Sequence, residues 1–171
     1  MRAAVATRHI VGSWFLVLFL AHPAASQESV PAAPEAARFI EGVSGSSQPD
    51  RSMLESIDAA GYEAVIDLRG ADEDRGIDER DAVEGLGMTY ISLPILGAGD
   101  ISYDNANELD RLLARFEKPV LVHCGSGNRA GALLALRAKL NGADNDAAVE
   151  AGRRTGLTEL EDVVRQRLNE R

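Results

Sequence analysis

The chemistry that this sequence could perform is concentrated in one segment, Val120-Leu-Val-His-Cys-Gly-Ser-Gly-Asn-Arg129, which contains the only cysteine of the 171-residue chain. A short apolar run of β type leads into a glycine-rich turn, and the turn leads into a predicted helix. Cys124 would then face the N–H groups of the turn and the positive end of the helix, which both favour a thiolate over a thiol. The segment therefore predicts a nucleophilic cysteine.

The residues after the cysteine could hold an oxyanion. The Arg129 guanidinium offers a planar pair of N–H donors to two oxygens of a phosphate or thiosulfonate group. Glycine lets the backbone curl and expose its N–H groups, and Asn and Ser suit such turns. The predicted anion-binding loop consists of Gly125, Ser126, Gly127, Asn128 and Arg129.

His123 is the only histidine after residue 26. We expect its ring to bond nearby backbone and to support the loop. Because neighbouring side chains on a strand point in opposite directions, His123 and Cys124 should not form a catalytic dyad. One histidine and one cysteine cannot build a His/Cys metal cluster, so we expect neither a metal nor a cofactor.

The run His123 to Arg129 resembles the active-site loop of the cysteine-dependent phosphatase superfamily. It is similar in particular to the bacterial phosphatase-like domain that also occurs fused to β-lactamase-like hydrolases. The likeness extends over roughly Phe39 to Leu157 and includes Ser44-Gly-Ser-Ser-Gln-Pro49, Val65-Ile-Asp-Leu-Arg69 and Gly87-Met-Thr-Tyr-Ile-Ser-Leu-Pro94. It implies a fold like that of the protein tyrosine and dual-specificity phosphatases, with Cys124 attacking phosphorus.

The resemblance also implies a general acid on the loop after the preceding strand, since the leaving oxygen needs a proton. Leu96 stands where dual-specificity enzymes often have that acid, and Asp100 is the nearest carboxylate. We therefore predict Asp100 as the general acid, carried by the glycine-rich loop that precedes it. Asp104 is expected to serve instead in the first turn of the next helix.

Two departures leave the reaction open. Four residues separate Cys124 from Arg129, where tyrosine and dual-specificity phosphatases have five, and Ala130 replaces a common Ser or Thr. The six-residue loop is closer to that of the rhodanese sulfurtransferases. The alternatives to a phosphatase-like hydrolase acting on phosphomonoesters, phosphotyrosine or phosphoprotein included, are a rhodanese-like sulfurtransferase or persulfide carrier and a non-catalytic anion-binding module.

Strand and helix patterns alternate along the chain, which predicts an α/β fold with a mainly parallel sheet of four to five strands flanked by helices. Two helices follow the loop helix where a rhodanese would return to a strand, so the phosphatase-like fold is favoured. We expect a strand at Arg38–Val43, a turn at Ser44–Pro49, an internal ion pair or loop anchor from Asp67 and Arg69, and a solvated run at Asp72-Glu-Asp74.

Residues 1–26 have a basic start, a twelve-residue apolar stretch and small residues before Gln27, which is typical of a secretory signal cleaved after Ser26. Residues 27–37 are rich in Pro and Ala and are predicted to be a linker, and residues 38–171 form the phosphatase-like domain. We therefore expect a periplasmic or secreted protein with no stable membrane insertion after cleavage.

The formal charge of −9 becomes −11 without Arg2 and Arg8. An acidic chain lacks the basic surface that nucleic-acid binding needs, so no nucleic-acid partner is expected. The expected partner is an anionic small molecule or a phosphorylated substrate. The sequence predicts no particular oligomeric state.

Overall fold

Five strands form one sheet in the computed structural model, which describes residues 38–40 and 42–170. They are β1 (Arg38–Ile40), β2 (Val43–Ser46), β3 (Ala64–Asp67), β4 (Thr89–Ser92) and β5 (Val120–His123). Their order across the sheet is β1-β2-β5-β3-β4. Strand β1 runs antiparallel to β2, and the other neighbours are parallel. The predicted α/β fold with a mainly parallel sheet is confirmed.

Helices cover both faces of the sheet. One face carries α1 (Arg51–Ala59) and α2 (Glu79–Gly85), and the other carries α3 (Tyr103–Leu113), α4 (Asn128–Leu140), α5 (Asn145–Arg154) and α6 (Glu161–Asn169). Side chains alternate along each strand, so Leu121 packs with the first set of helices and Val122 with the second. The central strand β5 is thereby buried on both faces along its whole length.

The boundaries of three helices follow from local capping. Asp50, Asp78 and Asp144 are the N-caps of α1, α2 and α5, and each side chain accepts a backbone N–H from the first turn. The chain after α1 turns at Gly61, whose φ of 80° lies in the left-handed region. These caps depend on residues within one helical turn, so each helix start is determined locally.

The predicted turn at Ser44–Pro49 is wrong for its first three residues, which lie in β2. The Ser44 hydroxyl is buried and bonds the Tyr62 hydroxyl at 2.5 Å. A Cβ at Gly45 would stand 2.2 Å from the carbonyl oxygen of Thr155. Small residues therefore occur here because neighbouring backbone approaches β2 closely, and their turn-like composition is misleading.

Gly131 in α4 provides a test of this close packing. A Cβ there would lie 2.1 Å from Leu157 N and 2.7 Å from Gly152 O, and both are backbone atoms. We expect Gly131→Ala to lower the free energy of unfolding by about 2–3 kcal/mol, because α4 and the chain around Leu157 must separate. Urea unfolding measures this difference.

The matched control is Gly85→Ala, at the exposed end of α2, where an added Cβ would meet no atom within 4 Å. This change should be neutral or stabilising by up to about 1 kcal/mol, since alanine favours the helix. Equal stability of the two variants would contradict the close contact at Gly131.

No helix within residues 38–40 and 42–170 is long and apolar enough to cross a bilayer. The predicted signal at residues 1–26 and the predicted linker at residues 27–37 lie outside the described residues.

Candidate active site

Cys124 follows directly after β5, at the carboxyl edge of the sheet where α/β proteins place their sites. Its side chain is fully buried, and the N–H of Gly127 donates to Sγ at 3.1 Å. Gly127 has a φ of 88° and is the N-cap of α4. The predicted arrangement of strand, tight glycine turn and helix is therefore present, and the sulfur lies at the positive end of α4.

Arg129, the second residue of α4, points to the side of the loop where β3 and β4 end. Its Nη1 donates to Glu73 Oε1 at 2.6 Å and to the carbonyl oxygen of Ile95 at 2.7 Å, and its Nη2 donates to Glu73 Oε2 at 2.6 Å. A guanidinium has five N–H donors, and these bonds use three. The remaining two, on Nε and Nη2, lie along one edge of the plane and can bind two oxygens of an anion.

Glu73 is the site residue that sequence reasoning missed, since the run Asp72-Glu-Asp74 was expected to be solvated. Its carboxylate also accepts the N–H of Gly70 at 2.8 Å. The hydrogen bond from Arg129 lowers the pKa of Glu73 to about 2, and the same bond raises the pKa of Arg129. Its only sequence signal is its place in the loop after β3, at the same sheet edge as Cys124.

Asp100 lies in a short 3-10 turn, Ala98–Asp100, and its Oδ2 accepts the N–H of Leu96 at 2.7 Å. The carbonyl of the same Ile95–Leu96 peptide accepts from Arg129. Because N–H and C=O of a trans peptide point in opposite directions, the Asp100 carboxylate and the guanidinium lie on opposite sides of this peptide. The general-acid role of Asp100 stays a prediction, and it requires the carboxylate to leave Leu96.

Leu96 is an exposed apolar side chain near the Glu73–Arg129 ion pair. It is 73% exposed and is the one large exposed hydrophobic side chain among the described residues. A Cβ on Gly70 would come within 2.9 Å of Leu96 Cδ2, so the leucine covers the Gly70 backbone that bonds Glu73.

A network of buried, hydrogen-bonded polar side chains lies beside the cysteine loop. Arg69 donates from Nε to Asp67 Oδ1 at 2.9 Å and from Nη2 to Oδ2 at 3.0 Å, which confirms the predicted ion pair. Arg69 Nη2 also bonds Glu79, and the Tyr90 hydroxyl donates to Asp67 Oδ2 at 2.8 Å. Burial alone would raise the pKa of Asp67, but the hydrogen bonds from Arg69 outweigh it and hold that pKa below its ordinary value.

His123 belongs to this network, not to the backbone contacts that were expected for it. Its Nε2 lies 2.7 Å from Glu79 Oε1 and 3.8 Å from Asp67 Oδ1, although the ring N–H is not aligned for a hydrogen bond. The ring therefore faces buried carboxylates on the opposite side of β5 from the sulfur, and its role in supporting the loop stays a prediction. The sequence did not predict this because Glu79 is far along the chain.

Asp67, Glu79 and His123 bring three potential metal-ligand atoms within 4.8 Å of one another. The Arg69 guanidinium already bonds both carboxylates and supplies the positive charge that they need. A metal ion would have to displace this buried arginine, so the donor set does not fit a metal. We expect the three residues to support the loop, as the sequence predicted for His123.

Comparison with known proteins agrees with this geometry. A family model described as the phosphatase-like domain of beta-lactamase hydrolase-like protein matches residues 36–141. A beta-lactamase hydrolase-like protein of Xylella fastidiosa is 32% identical over 110 residues, covering 62% of this chain and 25% of that protein. The chain thus matches about a quarter of the length of this relative.

Solved structures share the fold. A candidate phosphatase from Neisseria meningitidis has a TM-score of 0.69 at 23% identity, covering 80% of this chain and 98% of that one. The active form of Tk-PTP has a TM-score of 0.62 at 25% identity, covering 80% and 98%. These similarities show the fold, and the family match over residues 36–141 supports a hydrolase of phosphatase type.

Proposed function

This chain belongs to the family formed by the phosphatase-like domain of beta-lactamase hydrolase-like proteins, and on that premise we propose that it hydrolyses phosphomonoesters with Cys124 as the nucleophile. The observation that carries the proposal is the edge of the Arg129 guanidinium that faces the Cys124 sulfur and is bound by neither Glu73 nor Ile95. Glu73 and Ile95 bind the opposite part of the guanidinium. Two N–H donors are thereby left for phosphoryl oxygens beside the sulfur.

The proposed reaction has two steps. The Cys124 thiolate attacks phosphorus, a sulfur–phosphorus bond forms, and the bond from phosphorus to the ester oxygen breaks. The departing oxygen takes a proton, for which Asp100 is the proposed donor once its bond to Leu96 is released. Water then attacks the cysteinyl-phosphate, releases inorganic phosphate and restores the thiolate.

Phosphate oxygens are stabilised throughout by Arg129 and by the backbone N–H groups of Gly125, Ser126 and Asn128, while the N–H of Gly127 bonds the sulfur. The N-terminus of α4 adds its positive end to the same site. Charge that develops on the transferring phosphoryl group thus meets donors that are already in place. His123 and the buried network beneath it hold the loop in this shape.

Residues 1–26 support a location outside the cytoplasm, in the periplasm or the medium, as the second part of the proposal. Phosphotyrosine and phosphoproteins fall within the proposed substrate class, and an aryl phosphate is the simplest member for a first assay.

The test treats the purified protein separately with p-nitrophenyl phosphate and with thiosulfate, and then measures turnover and intact mass. We expect release of p-nitrophenol and no sulfur adduct, and vanadate should slow alkylation of Cys124 by iodoacetamide. Addition of one sulfur atom to the protein, with thiocyanate formed from cyanide and no aryl phosphate turnover, would establish sulfur transfer instead. Absence of both reactions would leave an anion-binding module and overturn the proposal.

A further inference from the structure

A groove of about 170 Å³ borders the cysteine loop on the flank away from Glu73. Glu73 and Ile95 follow β3 and β4, whereas one wall of this groove follows β2, on the other side of β5. The second wall is the connection between α5 and α6. The groove is lined by Gly45, Ser46, Ser47, Ser126, Gly127, Thr155, Gly156 and Thr158.

The groove is fixed to the anion-binding loop. The side-chain oxygen of Asn128 accepts the N–H groups of Thr158 at 3.0 Å and Leu160 at 3.2 Å. A Cβ on Gly156 would lie 2.9 Å from the carbonyl oxygen of Gly127, so the two backbones are in close contact. A ligand part seated in this groove would therefore have a defined position relative to a phosphoryl group on the loop.

Uncharged hydroxyl groups dominate the lining. No lining residue is charged or aromatic, unlike the opposite flank with its Glu73–Arg129 ion pair. Two hydroxyls are satisfied within the protein, since Ser46 donates to Ser47 O at 2.6 Å and Thr155 donates to Ala151 O at 3.0 Å. Three others, on Ser47, Ser126 and Thr158, are exposed and make no hydrogen bond to the described part of the chain.

Each free hydroxyl can both donate and accept a hydrogen bond. The hydroxyls of a sugar or cyclitol have the same dual character, whereas a second anion would find no cationic side chain in the groove and an aromatic ring no aromatic or large apolar side chain. We infer that the groove binds the hydroxyl-bearing part of the substrate, and that the substrate is the phosphate ester of a polyol. This inference rests on the proposed function, with the phosphoryl group held by the loop.

An alcohol is a poor leaving group, so this substrate class needs the proton that the proposed mechanism assigns to Asp100. The polyol and the acid would approach the phosphoryl group from different flanks. Recognition and leaving-group protonation would then be separate functions of β2 and of the loop after β4.

The test compares inositol monophosphate with p-nitrophenyl phosphate and phosphotyrosine on wild type and on the double variant Ser47→Ala/Thr158→Val. Both side chains lie outside the cysteine loop. We expect wild type to have a lower KM for inositol monophosphate than for phosphotyrosine. The double variant should raise KM for inositol monophosphate about tenfold, because two hydrogen bonds are lost. Its KM for p-nitrophenyl phosphate should stay within about twofold of the wild-type value.

Thr89→Val is the matched control, since it removes an exposed hydroxyl from β4 outside the groove. Thr89→Val should leave KM unchanged both for inositol monophosphate and for p-nitrophenyl phosphate. Equal effects of the double variant on inositol monophosphate and p-nitrophenyl phosphate would overturn the inference, and so would a wild-type preference for phosphotyrosine. Failure of wild type to hydrolyse any of the three esters would overturn the proposed phosphatase itself.

Discussion

Cys124→Ser is expected to lower kcat for p-nitrophenyl phosphate by at least about 10⁴-fold, as loss of a covalent nucleophile does in other enzymes. A serine hydroxyl attacks only when a neighbouring base removes its proton. The one histidine close by, His123, faces Glu79 and Asp67 on the far side of β5. Nothing in the described site can therefore activate a serine in place of the thiolate.

The control for this variant is its binding of inorganic phosphate. Serine is nearly the size of cysteine, and the donors of Arg129 and of the loop backbone are unchanged, so the dissociation constant for phosphate should stay within about tenfold. Calorimetry gives that constant and turnover gives kcat. If Cys124→Ser retained more than about a tenth of wild-type kcat, Cys124 would not be the nucleophile.

The sequence predicted the parts of this site that are built from neighbouring residues. The apolar run Val120–His123 forms β5, and the predicted glycine turn and helix follow it. Strand length, capping and turn chemistry act over a few residues, so a single sequence contains the information for them.

The parts that the sequence did not predict depend on contacts between distant segments. Glu73 pairs with Arg129 across 56 residues, and its charged neighbours give it the appearance of a solvated loop. Ser44, Gly45 and Ser46 have turn composition but lie in β2, because Thr155 packs against Gly45. Propensity alone cannot distinguish a small residue in a turn from one that permits close packing.

Glu73 is best described as a positioning residue. It binds the two terminal nitrogens of Arg129 and leaves the Nε edge for the proposed phosphoryl group. We therefore expect Glu73→Gln to reduce kcat/KM less than loss of the arginine does. Since the pKa of Glu73 is lowered to about 2, its ionised form adds stability above its ordinary pKa of 4.5, and that contribution is lost as the pH falls toward 2.

Arg129→Lys is expected to lower kcat/KM for p-nitrophenyl phosphate by about 10²–10³-fold, the usual cost of removing a donor that stabilises transition-state charge. A lysine keeps the positive charge but has only one side-chain nitrogen. It therefore cannot bond both oxygens of Glu73 and the carbonyl of Ile95 and also offer two parallel donors to a phosphoryl group. The measurement is the kinetics of Arg129→Lys, Glu73→Gln and the double variant at one pH.

If Glu73 acts by orienting the guanidinium, its substitution should matter little once Arg129 is lysine, and the double variant should resemble Arg129→Lys alone. Additive losses would instead show that Glu73 acts on the substrate independently. Retention of at least half the wild-type kcat/KM by Arg129→Lys would show that positive charge alone is sufficient, and would contradict the assignment of the free guanidinium edge as the phosphoryl-binding group.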